Sequence, residues 1–239
     1  MNCGKEEKME YLVIILICII FLVILKFAWN IKFKDIKTLK EIGYSKELND
    51  ITNKLPVNQE ICKTILKKLG NEDVKIEESE NKTSLYLVLS NTIIIANIKD
   101  TFTRVQTIAH ECLHSIQDRK MLLFNFIFSN IYLIYFVCIC ILSVLKLNPY
   151  PMINLFVLTI LSFIYYAVRS YIEMDAMLGA KHLAQEYLEE STLNKEEQNQ
   201  ILENYEIINQ IAVKLTNFNL IWNCTIKIII YCIISSILY

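Results

Sequence analysis

The chain has 239 residues, 54% of them hydrophobic, and a mean hydropathy of +0.36. That is too apolar for an ordinary soluble domain and points to a mostly α-helical membrane protein with the lipid bilayer as a partner. A formal net charge of −1 excludes the basic character expected of a nucleic-acid binder.

Charged residues gather in 31–120 and 172–216 and are scarce elsewhere. Residues 1–30 hold the first candidate span, Tyr11 to Trp29. Its flank is not basic on balance and no small-residue cleavage site follows, so a retained anchor is expected rather than a signal peptide.

The polar stretch 31–120 comes next. Pro56 to Leu69 reads as an amphipathic helix with Gly70 as its stop. Three short runs follow: Asp73–Glu78, Thr83–Ser90 and Thr92–Asn97. In the second, Leu85, Leu87 and Leu89 alternate with Tyr86, Val88 and Ser90, and Ser90-Asn91 makes a tight connection. A small antiparallel sheet is expected. Asp100 or Thr101 then caps a helix whose apolar side carries Phe102, Val105, Ile108, Ala109, Cys112 and Ile116.

A transmembrane hairpin is expected over 121–171, with spans at about 121–145 and 152–171. Residues 172–216 read as two helical stretches, and 217–239 as a C-terminal span interrupted by Lys227, whose ammonium can snorkel to the interface. The eight cysteines form no CxxC pair and lie mostly in apolar runs, where they act as small hydrophobes.

The chemistry is concentrated in His110-Glu111-Cys112-Leu113-His114. Two histidines four apart on a helix present both imidazoles on one face, one turn apart, within reach of one zinc ion. Glu111 is the candidate catalytic residue, placed to take a proton from water beside the metal and pass it to a leaving amine. This is the HExxH pattern of zinc peptidases. Two of only three histidines fall in it.

Zinc needs a third protein ligand. A further His six residues after His114 would complete one known pattern, but that position is Lys120. A Glu from a later helix is the other solution, and the candidate is Glu173, just beyond the third span. Two crossings separate it from the motif, so it returns to the same side. On a helix, Ala176, Met177, Ala180 and Ala184 share its face, and small residues allow close approach. Asp175 is an alternative ligand, or a group that orients a histidine. His182 is expected on the opposite, exposed face. Tyr171 and Arg169 are near enough in sequence to assist an oxyanion.

With these motifs in view, the chain resembles the bacterial neutral zinc metallopeptidase family. These are membrane-bound HExxH peptidases of the gluzincin type, distantly akin to CaaX prenyl-peptidases and heat-shock membrane peptidases. The resemblance rests on His110-Glu-Cys-Leu-His-Ser-Ile-Gln117 and Ile172-Glu-Met-Asp-Ala176 and covers about residues 80–190. It implies zinc on His110, His114 and Glu173, Glu111 as the catalytic group, and a zincin-like α+β catalytic domain. Leu113 stands where the family favours Gly, and Leu178 where it favours Ser.

Lysines and arginines near span ends favour one side. Lys26, Lys32, Lys34, Lys37, Lys40, Arg119, Lys120, Arg169 and Lys214 lie on the motif side, against Lys5, Lys8 and Lys146. The positive-inside rule then puts the catalytic side in the cytoplasm. The expected activity is a cell-membrane zinc endopeptidase acting on peptides or membrane proteins. A non-catalytic zinc-binding membrane sensor and an intramembrane protease are the competing readings.

Overall fold

The structure is a computed structural model, and it describes residues 3–80, 83–98 and 101–238. Asp100, one of the two residues expected to cap the motif helix, and Tyr239, the expected end of the last span, lie outside them. The elements in chain order are α1 (Cys3–Ala28), α2 (Phe33–Gly43), α3 (Lys46–Thr52), α4 (Asn58–Lys68), β1 (Lys75–Glu78), β2 (Leu85–Leu87), β3 (Thr92–Ile95), α5 (Arg104–Ile116), α6 (Arg119–Val144), α7 (Pro151–Glu189) and α8 (Lys195–Leu238). They form two compact units.

The first unit comprises 1–31, 124–170 and 214–239. Its four helical segments belong to α1, α6, α7 and α8, each long and apolar enough to cross a membrane. Lys8–Ala28 is 21 residues. At 1.5 Å per residue it spans about 31 Å, the thickness of a hydrocarbon core. Leu12, Leu16, Ile17, Ile20, Ile24 and Phe27 are all exposed on it. A continuous apolar surface of that kind is stable only against lipid or another apolar partner.

The interior of this unit is small and partly polar. Tyr11, Tyr132, Ile139, Leu155, Leu158, Ile228, Tyr231 and Cys232 form its core. At the α6–α7 turn, Asn148 is fully engaged. It donates to Ser143 Oγ (3.0 Å) and Tyr231 Oη (2.8 Å) and accepts from Asn154 (2.7 Å). Within lipid such groups must be satisfied internally, and this network ties the hairpin to α8. Lys227 donates back one turn to Asn223 O (3.3 Å) and lies 5.0 Å from the Tyr132 ring centre. A backbone carbonyl and the face of an aromatic ring thus partner this ammonium.

The second unit comprises 32–123 and 171–213. The expected antiparallel sheet is instead mixed. Strand order is β1-β3-β2, with β1 parallel to β3 and β2 antiparallel to it. The cause is burial. Thr92, Ile93 and Ile95 are buried, so the most apolar strand takes the centre, while Lys75-Ile-Glu-Glu78 and Leu85-Tyr-Leu87 serve as edges. Asn91 takes a positive φ of 51° in the connection and accepts from Tyr86 Oη (2.8 Å).

One core joins the helices to this sheet. Ile61, Cys62, Ile65, Ile93, Ile95, Val105, Ile108, Ala109 and Cys112 meet Leu183, Ala184, Leu188, Ile201 and Tyr205 of α7 and α8. Each fully buried Ile contributes about 2 kcal/mol. Cys62 and Cys112 face each other with sulfurs 3.6 Å apart. Their hydrogen bond, then burial, holds the Cys112 thiol far above its ordinary range, so it is a neutral core group.

Arg104, at the first turn of α5, is also buried. It donates to Asn58 Oδ1 (3.0 Å), Thr52 O and Leu55 O (3.0 Å), satisfying carbonyls at and just beyond the end of α3. Helix α5 starts two or three residues later than expected. Thr101 sits in the preceding turn and donates to Ile98 O (2.8 Å), and Thr103 is the N-cap position. Ile116, expected on the apolar side, is exposed.

Helices α7 and α8 are unbroken. The composition changes from apolar to charged near 171–172 and from charged to apolar near 216–217, yet each helix continues through. Neither run contains a proline after its first residue, so nothing in the backbone stops them.

Candidate metal centre

Helix α5 presents His110 and His114 one turn apart, and α7 brings Glu173 against them. Their ligand atoms all lie within 4.8 Å of one another. His110 Nε2 and His114 Nε2 are 3.1 Å apart; Glu173 Oε2 is 3.4 Å from His110 Nε2 and Oε1 is 3.9 Å from His114 Nε2. The three side chains are mostly withdrawn from solvent. For tetrahedral coordination with bonds near 2.0–2.1 Å, ligand atoms sit about 3.3 Å apart. The His110–His114 separation and the approach of Glu173 Oε2 to His110 are close to that value, while the 3.9 Å approach to His114 is made by the other carboxylate oxygen. The residues therefore fit a metal ion bound by two imidazoles and one carboxylate.

Close approach of α5 and α7 makes this possible. Ala176, Ala180 and Ala184 are buried, as their shared face with Glu173 led one to expect. Gly179, which the sequence reading did not single out, lies directly against Leu113. A Cβ there would lie 2.9 Å from Leu113 Cδ1. Leu113 thus fills the space that Gly179 leaves, and the bulky residue inside the motif is accommodated by a glycine on the opposing helix.

Gln117 is the residue the sequence reading left without a role. It is the C-cap of α5, with extended backbone (φ −65°, ψ 161°), so its side chain leaves the helix direction. Its Oε1 is 2.8 Å from His114 Nδ1. Its Nε2 donates to Ile172 O (2.9 Å) and Asp175 Oδ2 (2.7 Å). Those two acceptors fix the amide orientation, so Oε1 must accept from His114 Nδ1–H. The imidazole is then held as the Nδ1–H tautomer, with the Nε2 lone pair aimed at the other two ligands. Only the position of Gln117, three residues past His114, hinted at this.

Asp175 is therefore placed outside the three-ligand group. It acts on His114 through Gln117, and α7 runs straight through this region without the irregular start that direct contact would have needed. Glu111 follows His110 on α5 and is 6% exposed. Tyr171 and His182 are exposed on α7 and do not join the group. Arg169 belongs to the first unit.

Ser115 anchors the end of the motif helix, accepting at O (3.1 Å) and Oγ (2.9 Å) from Asn71. On the other side, Tyr205 of α8 donates to Phe102 O (2.8 Å) and Gln106 donates to Asn209 (3.2 Å). Both ends of α5 are thus held by bonds to other elements.

No family model matches this sequence, and no curated protein or solved structure matches it either.

Proposed function

We propose that this chain is a multi-pass membrane protein that hydrolyses peptide bonds as a zinc-dependent endopeptidase, with the metal on His110, His114 and Glu173. The observation that carries the reading is the convergence of those three groups within 4.8 Å beside a buried glutamate in the HExxH register. The two-nitrogen, one-oxygen donor set suits zinc and leaves a coordination position open. Zinc held there supplies Lewis acidity toward a substrate carbonyl. Glu111 accepts the proton of the attacking water and delivers it to the departing amine. Gln117 keeps His114 in the tautomer that leaves Nε2 free of a proton, and Asp175 steadies Gln117.

The likeness of both motifs to the neutral zinc metallopeptidase family supports the same reading, as does the packing of α5 beside the three-stranded sheet of the second unit. Lysines and arginines near the span ends favour a cytoplasmic catalytic side. Substrates are then peptides or membrane proteins presented at that surface.

The test is metal content and peptide cleavage by purified full-length protein, beside Glu111→Gln, His114→Ala and Glu173→Ala. The reading expects one zinc per chain in wild type and in Glu111→Gln, cleavage only in wild type, and loss of metal in the other two. Undiminished cleavage by Glu111→Gln sinks the mechanism. One zinc per chain with no cleavage of any peptide would support a non-catalytic metal sensor instead.

A further inference from the structure

Strand β1 (Lys75–Glu78) is an outer strand of the three-stranded sheet. Lys75 N donates to Asn91 O (3.0 Å) and Ser79 N to Ile95 O (2.9 Å), both on the β3 side. Backbone direction alternates along a strand. Lys75, Glu77 and Ser79 therefore turn their backbone groups to β3, and Ile76 and Glu78 turn theirs to the open edge. Those outward groups have no hydrogen-bond partner among the described residues. Such a row is a template for another strand.

The side chains alternate too. Val74 and Ile76 line a groove of about 470 Å³ against α4, and Lys63 and Lys67 of α4 line it as well. Glu78 follows Ile76 on that face of the strand, while Lys75 and Glu77 point to the other. Lys75, Glu77 and Glu78 are exposed. Lys63, Lys67, Lys75, Glu77 and Glu78 form no ion pair among the described residues. The charges around this edge thus lack counter-charges within the chain. Charge on an edge strand discourages a neighbour only while no opposite charge meets it.

A second copy supplies the opposite charges in one register. Two identical strands that close on each other pair antiparallel about a two-fold axis. Outward residues must oppose outward residues, so the axis passes through a residue rather than between two. Centred on Lys75, Glu77 or Glu78, the pairing sets like charges directly opposite, which is unfavourable. Centred on Ile76, it sets Ile76 opposite Ile76 and Lys75 opposite Glu77 twice. Glu78 of each copy then lies opposite Val74 of the other, in the groove that carries Lys63 and Lys67.

We infer that the β1 edge is a homodimer interface. Two three-stranded sheets join there into one of six strands, with Ile76 on the two-fold axis. The outer strands of the joined sheet are the two copies of β2, which lies beside α5. The inference rests on the sheet edge of the second unit alone, not on metal binding or hydrolysis.

The test is the monomer–dimer dissociation constant of full-length protein in detergent, measured by sedimentation equilibrium. Lys75→Glu and Glu77→Lys each turn both cross-strand pairs repulsive, and each should weaken the dimer about tenfold or more. Combined in one chain, they restore opposite charges across the axis and should bring the constant back to within about threefold of wild type. Both side chains are exposed, so the fold tolerates the changes. Cross-linking with copper phenanthroline reads the register independently. Ile76→Cys should give a disulfide-linked dimer, because Cα atoms of a hydrogen-bonded pair lie about 5.5 Å apart. Glu77→Cys should cross-link no more than the unsubstituted protein, since its two copies are about 8 Å apart in this register. A protein monomeric at every concentration overturns the proposal and leaves an extended segment of another protein as the occupant of the edge. A dimer that neither reversal weakens, or that the double change does not restore, overturns it as well. Glu77→Cys cross-linking as readily as Ile76→Cys overturns the register.

Discussion

Removing the Gln117 amide should weaken metal binding even though Gln117 touches no metal. Gln117→Leu keeps the approximate size but leaves His114 Nδ1–H without its acceptor and frees Asp175 and Ile172 O. A net hydrogen bond contributes about 0.5–1.5 kcal/mol, and loss of a group that orients a metal-binding histidine costs about 10–100-fold in affinity. The expectation is therefore about 1.4–2.8 kcal/mol weaker zinc binding. Asp175→Ala removes only the exposed outer bond of the same chain, since Ile172 O still holds Gln117 Nε2. Its effect should be about two- to fivefold. The assay is competition for zinc against a chelator of known affinity, on purified protein at one pH. The order of the two losses is the sharper readout. Zinc affinity of Gln117→Leu within twofold of wild type refutes the relay. A larger loss in Asp175→Ala than in Gln117→Leu would make Asp175 a direct ligand.

Other expectations concern packing. Gly179→Val forces a branched side chain against Leu113 and should cost about 1–3 kcal/mol, with weaker metal binding as α7 is pushed from α5. Adding Leu113→Ala should recover part of both losses, and strictly additive effects in thermal melts and metal titration would contradict the contact. Arg104→Met strips the buried donors from Thr52 O, Leu55 O and Asn58 and should lower stability by about 3 kcal/mol, seen as a reduced Tm. Cys62 and Cys112 should resist a water-soluble maleimide until the protein is unfolded; rapid labelling of the native protein would show that this part of the core is open.

The motif and its third partner were legible because they depend on local rules. A four-residue spacing puts His110 and His114 on one face whatever surrounds them. The spans could be read from composition alone, and Glu173 follows from counting crossings. The small-residue face of Ala176, Ala180 and Ala184 follows from helix periodicity. What stayed hidden depends on distant partners. Parallel pairing of β1 with β3 places β2 on the far side of its neighbour, and no turn signal in residues 79–84 reports that. The role of Gln117 depends on where the Ile172 carbonyl passes, and that of Gly179 on Leu113 across a helix interface. The continuity of α7 and α8 was in principle readable, since no helix breaker accompanies the change from apolar to charged residues. Composition was the stronger signal and suggested separate segments.

All three candidate ligands stand on helices, and both helices continue beyond the site on either side. His110 and His114 cannot shift without moving α5, whose flanks are pinned by Asn71 and Tyr205, and Glu173 lies within 39 unbroken residues. Such a pocket is assembled by folding rather than by the ion. Its metal affinity is spent on binding, in contrast to small zinc modules that are unfolded without metal. A chelator should then leave helicity and cooperative melting in place, with Tm lowered only by the lost binding term, and under the proposed function it should abolish cleavage reversibly. The same rigidity limits which ions can be accommodated: one demanding six ligands would have to draw on water, because the scaffold cannot bend to offer more.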